Sequence, residues 1–167
     1  MGSETTAAAQ GLKQGVRRDP MAMLPFIGYD VASYFQHWLD MQGRIKNPPK
    51  IFMVNWFRKD DDGTYLWPGY GENMRVLKWI IDRSRSHVGA NETVVGWVPR
   101  FQDLNLTDLD VSEDEIRAAM KVDLDEWEAE LQSVKDWFDK LGKTLPRAIE
   151  LQREALLERV RGARTAT

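Results

Sequence analysis

Cysteine is absent from all 167 residues, which excludes disulfides, thiolate metal sites and a cysteine nucleophile. Histidine is nearly absent: His37 and His87 are the only ones, so a multi-histidine metal centre is excluded as well. There is no basic excess either. A formal net charge of −3 and a sequence pI of about 5.5 argue against non-specific binding to a phosphate backbone, so nucleic acid is not an expected partner. No apolar run approaches the ~18–20 residues that span a bilayer. The opening "MGSETTAAAQG" has neither the basic nor the apolar region of a signal peptide. These absences together predict a soluble cytoplasmic chain with no membrane partner.

What is present is ordinary in bulk. Hydrophobic residues make up 43% and charged residues 29%, values typical of globular proteins. On length alone one domain is expected, and a chain of this size buries about 70% of its unfolded surface. Residues 1–19 are small, glycine-punctuated and then basic. They read either as a frayed terminus or as a lid, with Gly2, Gly11 and Gly15 bracketing Ala7–Ala8–Ala9 as hinges.

Beyond them, Val31, Tyr34, Phe35, Trp38 and Leu39 recur at the spacing of an amphipathic helix, with His37 off the stripe. "IFMVNWF", residues 51–57, is β-branched and aromatic and predicts a buried strand. Val76, Leu77, Ile80 and Ile81 predict one face of a helix over 74–83, with Asn73 at its N-cap. "VVGWVP" at 94–99 suggests another strand, and Ser112 and Glu115 stand in capping-box spacing. Leu124, Trp127, Leu131, Val134, Phe138 and Leu141 then continue as one helical stripe, stopped by Gly142 and Pro146. Ile149, Leu156 and Val160 indicate a last helix before a polar tail. The fold class expected is α/β and helix-rich.

One stretch departs from the usual chemistry of turns. "NWFRKDDDGTYLWPGYGEN", residues 55–73, has the Asp, Gly and Pro of a loop yet carries Trp56, Phe57, Tyr65, Trp67 and Tyr70. Asp60–Asp61–Asp62 before Gly63 is first a turn signal and only second a cation site. Two readings of the rings stand side by side. Either they are core contacts of a folded-back turn, or rings on the two limbs form a slot in which a flat heterocycle stacks. A base gains ~1–3 kcal/mol from stacking on one ring. In the second reading Gly69 and Gly71 let the backbone approach the base edge, and Asn73 reads its donor and acceptor pattern.

"SETTAAA", "RRDPMAMLPFIGYD", "HWL", "PKIFMVNWFRK" and "LWPGYGENMRVLKWI", in that order, resemble the C-terminal part of GTP-dependent phosphoenolpyruvate carboxykinase. The resemblance implies a partial domain of the C-terminal, nucleotide-binding fold of that family. It implies a lid at 1–19, a guanine-binding α/β part at 20–100, C-terminal helices at 101–161 and a tail at 162–167. The family converts oxaloacetate and GTP to phosphoenolpyruvate, carbon dioxide and GDP with Mn²⁺ or Mg²⁺, a step of gluconeogenesis.

By the resemblance, Phe57 and Tyr70 sandwich guanine, Tyr65 adds an aromatic wall, and Asn73 reads the base edge. Tyr65 and Tyr70 stand where phenylalanine is common in the family. Ser3, Glu4, Thr5, Thr6, Ala7, Ala8 and Ala9 match the start of the family's mobile lid, while the following "QGLKQG" departs from the charged run of some relatives. No GxxxxGK[ST] sequence occurs in the chain. The family's phosphate loop, metal ligands and substrate arginines belong to its preceding parts. The resemblance therefore implies a segment that is inactive alone and whose partner is the remaining N-terminal part of the parent. The alternative is a non-catalytic helical interaction module with a purely structural aromatic loop.

Overall fold

The computed structural model describes residues 2–4, 16–18 and 23–165. Its elements are β1 (Gly2–Glu4), β2 (Val16–Arg18), α1 (Val31–Arg44), α2 (Asn73–Ser84), β3 (Asn91–Thr93), β4 (Gly96–Val98), α3 (Glu113–Met120), α4 (Leu124–Leu141) and α5 (Arg147–Thr165). The architecture is helix-rich α/β, as expected. Its sheets are the antiparallel pairs β1–β2 and β3–β4. The chain divides into two compact units, residues 1–48 with 125–167 and residues 49–124.

In the first unit, Gly2 pairs with Arg18 and Glu4 with Val16 in β1–β2. Helix α1 starts where Asp30 leaves helical geometry and its Oδ1 accepts a hydrogen bond from the Ala32 N–H at 3.1 Å, the usual way to satisfy an orphan donor of the first turn. Phe35 of α1 meets Trp137 of α4 edge to face at 5.9 Å. Val31, Ala32, Leu131, Phe138 and Val160 are buried, so the predicted stripes of α1, α4 and α5 each deliver inward residues. Gly142, at φ +58°, lies in the left-handed region that favours glycine and ends α4. Arg153 is the one buried charge among the described residues, and its guanidinium is paired with Glu150 at 2.8 Å. Helices α4 and α5 are tied by Arg161 and Arg164, which both reach Glu128, at 2.9 and 2.6 Å. The hydrogen bond from Arg161 is the main reason the Glu128 carboxyl lies below the usual glutamate range.

The second unit is built around Trp79, Ala90, Leu104 and Ile116, with Phe52, Trp67, Ile80 and Phe101 packed against them. Helix α3 carries the complete capping box: Ser112 Oγ accepts from the Glu115 N–H, and the Glu115 carboxylate accepts from the Ser112 N–H. Five sequence expectations are corrected by the structure. Residues 51–55 form no strand, because no partner strand among the described residues takes their hydrogen bonds; they stay irregular. The 94–99 stretch is a hairpin, with Val94 and Val95 in the turn and the second strand starting at Gly96, whose φ of +126° suits glycine. Asn73 is the first residue of α2 and not its cap, since a 3-10 turn at Tyr70–Glu72 runs directly into the helix. The buried residue of α2 is Trp79, whereas Leu77 and Ile81 of the predicted face are exposed. The helical run from Ser112 to Leu141 is also interrupted, at residues 121–123, where Lys121 turns to extended geometry at ψ 131°.

Candidate functional site: the aromatic loop

Residues 58–66 form a tight hairpin. The Leu66 N–H donates to the Arg58 carbonyl at 2.9 Å, the Asp60 N–H to the Thr64 carbonyl at 2.9 Å, and Lys59 pairs with Tyr65. Asp60 Oδ1 accepts from the Thr64 N–H at 2.7 Å, and Gly63 takes a φ of +83°. The acidic triplet thus acts as the turn. Among the described residues no group of three or more His, Asp or Glu side chains is placed to hold a metal ion.

The loop turns its rings to two sides: burial alternates residue by residue along 51–58, so Trp56 and Phe57 face opposite ways, while Tyr65 and Trp67, two apart, are separated by the end of the hairpin pairing at Leu66. Trp56 and Trp67 are half-buried, touch at 5.8 Å, and Trp67 packs on the core. Phe57, Tyr65 and Tyr70 point outward, 73%, 54% and 91% exposed. The core reading of the loop therefore fits the two tryptophans and fails for the other three rings. Phe57 and Tyr65 stand edge to face, centroids 6.3 Å apart at 67°, making a corner and not two parallel walls. The Lys59 ammonium lies 4.6 Å from the centre of the Tyr65 ring. No ring contact among the described residues joins Tyr70 to either.

Tyr70 is presented by Gly69, whose φ of +129° is closed to most side chains, and a Cβ at Gly69 or Gly71 would meet only open space. Three residues on, Asn73 Oδ1 accepts from the Trp67 indole N–H at 2.8 Å. The amide nitrogen of Asn73 is thereby turned away from the core-side indole.

Two arginines fasten this loop, and sequence reading singled out neither. Arg58 Nη1 donates to the carbonyls of Ala118 and Ala119, at 3.2 and 3.4 Å, and to that of Lys121, covering the end of α3. Arg75 Nη1 donates to the carbonyls of Asn105 and Thr107, at 2.6 and 2.9 Å, and its Nε to Glu72 at 2.5 Å. Arg58 on the first limb and Arg75, two residues past the loop in α2, are thus both held to one stretch of chain, residues 105–121. The contacts to 105–121 are arginine to backbone carbonyl, which leaves no pattern of paired charges in the sequence; the one pair the spacing does offer is Glu72 with Arg75, three residues apart. Of the lid positions, Ser3 and Glu4 fall in β1, and Thr5, Thr6, Ala7, Ala8 and Ala9 lie outside the described residues.

Residues 1–159 match the family described as phosphoenolpyruvate carboxykinase C-terminal P-loop domain, and the chain belongs to that family. Its helix-rich α/β fold is a portion of that C-terminal domain. The chain is 66% identical over 164 residues to the phosphoenolpyruvate carboxykinase (GTP) of Anaeromyxobacter sp. (strain K), a match covering 98% of this chain and 28% of the relative. It is 49% identical over 163 residues to the enzyme of the same name from Arthrobacter sp. (strain FB24), covering 96% of this chain and 26% of the relative. The chain therefore spans little more than a quarter of the length of these relatives.

Proposed function

We propose that this segment supplies the guanine-base subsite and the lid of a GTP-dependent phosphoenolpyruvate carboxykinase, which converts oxaloacetate and GTP to phosphoenolpyruvate, carbon dioxide and GDP. The observation that carries the reading is the outward display of Phe57, Tyr65 and Tyr70 on one glycine-bearing loop whose two tryptophans are turned the other way. Large exposed rings cost hydration, and three of them within one loop make a stacking surface for a flat base. Phe57 and Tyr70 would take its faces, Tyr65 would close the side, and Asn73 would address the edge.

The family's divalent metal has no ligand set among the described residues. This segment's contribution is binding and water exclusion. Decarboxylation leaves an enolate, and water that reaches it gives pyruvate before the phosphoryl group transfers, so a lid over residues 1–19 protects the intermediate.

The test is titration of GDP, GTP and ATP against the fluorescence of Trp56 and Trp67, which sit behind the outward rings. Saturable quenching by the guanine nucleotides and not by ATP is expected. No response to any of the three would favour a non-catalytic module with a structural loop.

A further inference from the structure

We infer that Trp67 is a positioning residue that makes the base site guanine-selective, by fixing which end of the Asn73 amide faces the ligand. This rests on the reading that a base stacks on the aromatic loop beside Asn73. An asparagine amide has an acceptor end and a donor end of nearly the same shape, so its orientation is set by its partners. The Trp67 indole offers a donor only, and its N–H donates to Asn73 Oδ1 at 2.8 Å, a position the amide NH₂ end could not take. Trp67 cannot swing to relax this, because its ring is half-buried against the core and against Trp56.

The Asn73 NH₂ group is consequently the end left for a ligand. Guanine offers the acceptors O6 and N7 on the corresponding edge, whereas adenine places a donor amino group where guanine has O6. A donor held at the O6 position therefore pairs with guanine and meets another donor in adenine, whereas N7, an acceptor in both, does not discriminate. Without the indole N–H, the amide is free to rotate, and its oxygen would then serve adenine.

The experiment titrates the ¹⁵N-labelled chain with GMP, IMP and AMP and reads dissociation constants from amide shifts around Gly69 and Gly71. IMP retains O6 and lacks the 2-amino group, so it isolates the contact in question. Trp67→Phe keeps a packed ring and is expected to narrow the AMP-to-GMP and AMP-to-IMP ratios by roughly 5-fold or more, with melting confirming the fold. Benzothienylalanine at position 67, which keeps the indole volume without the N–H, is expected to do the same should the phenylalanine variant fail to fold. In an Asn73→Ala background, Trp67→Phe should change the ratios no further.

Wild-type ratios in the position-67 variants would overturn the inference, as would an undiminished effect of Trp67→Phe in the Asn73→Ala background. Tyr70→Ala separates the two levels, because it should weaken all three nucleotides alike. If Tyr70→Ala weakens them while the position-67 variants keep wild-type ratios, the base site stands and the role of Trp67 falls. If neither Tyr70→Ala nor Phe57→Ala changes any affinity, there is no base site and both fall.

Discussion

At the scale of single residues, the loop residues divide by what their neighbours leave them free to do. Phe57 and Tyr70 are so exposed that truncating them removes little packing within the chain. Phe57→Ala or Tyr70→Ala in the complete enzyme should therefore raise the dissociation constant for GTP by roughly 5-fold to 150-fold, the equivalent of one lost stacking face, and leave oxaloacetate affinity nearly unchanged. Nucleotide titration checks it, and unchanged GTP affinity in both variants would return the rings to a structural role. The excess of rings over polar loop chemistry was legible in the sequence, because composition alone marks it. Which rings turn inward was not legible, since that depends on a hairpin whose limbs pair at Lys59 and Tyr65. The tie from Trp67 to Asn73 was equally hidden, because a hydrogen bond between two residues six apart follows from the bend at Pro68–Gly69 and not from any spacing rule.

At the scale of elements, α3 is held at both ends by side chains, Ser112 and Glu115 at the start and Arg58 at the finish. The starting cap was read from its spacing, since a capping box is local; the far end was not, because Arg58 lies 60 residues from Ala118. The predicted strand at 51–57 failed for a related reason: a short apolar run describes one segment, while a ladder needs two. The Glu115 carboxyl is held below the usual glutamate range first by the Ser112 hydroxyl and then by the Ser112 N–H. A carboxyl with a lowered folded value adds stability above its unfolded value, ~4.3, and loses that stability as pH falls through the lower folded one. Ser112→Ala should thus lower the melting temperature by about 2–4 °C at neutral pH, and the gap should narrow, without closing, as pH falls below the unfolded value, because the bond from the Glu115 N–H to the Ser112 hydroxyl does not titrate. Circular dichroism melts of the two proteins across that fall in pH provide the check, and a gap independent of pH would deny the linkage. Arg58→Gln removes a charged donor from three carbonyls and should cost about 1.5–3 kcal/mol in denaturant unfolding, with Arg58→Lys retaining part of it.

At the scale of the whole chain, family membership and a length near a quarter of the relatives set the expectations. We propose that the chain alone does not decarboxylate oxaloacetate with GTP and Mn²⁺, since phosphoryl transfer relies on a metal and cationic groups that position the phosphates. Turnover above a no-protein control, abolished by a chelator and restored by Mn²⁺, would refute this. Met74, Leu77 and Ile81 lie three and four residues apart along α2 and are all exposed, as are Ile51 and Met53. Sedimentation should accordingly show concentration-dependent self-association, and Leu77→Lys with Ile81→Lys should reduce it. The residues around Met53 have one further consequence, for solvent. Ile51, Phe52, Met53, Val54 and Asn55 make no backbone hydrogen bond to other described backbone groups, so their amide protons should trade with deuterium far faster than those within α2, only some twenty positions away. Those five amides are a clock: any strand that paired with them would slow it, so the rate of exchange would report the pairing directly.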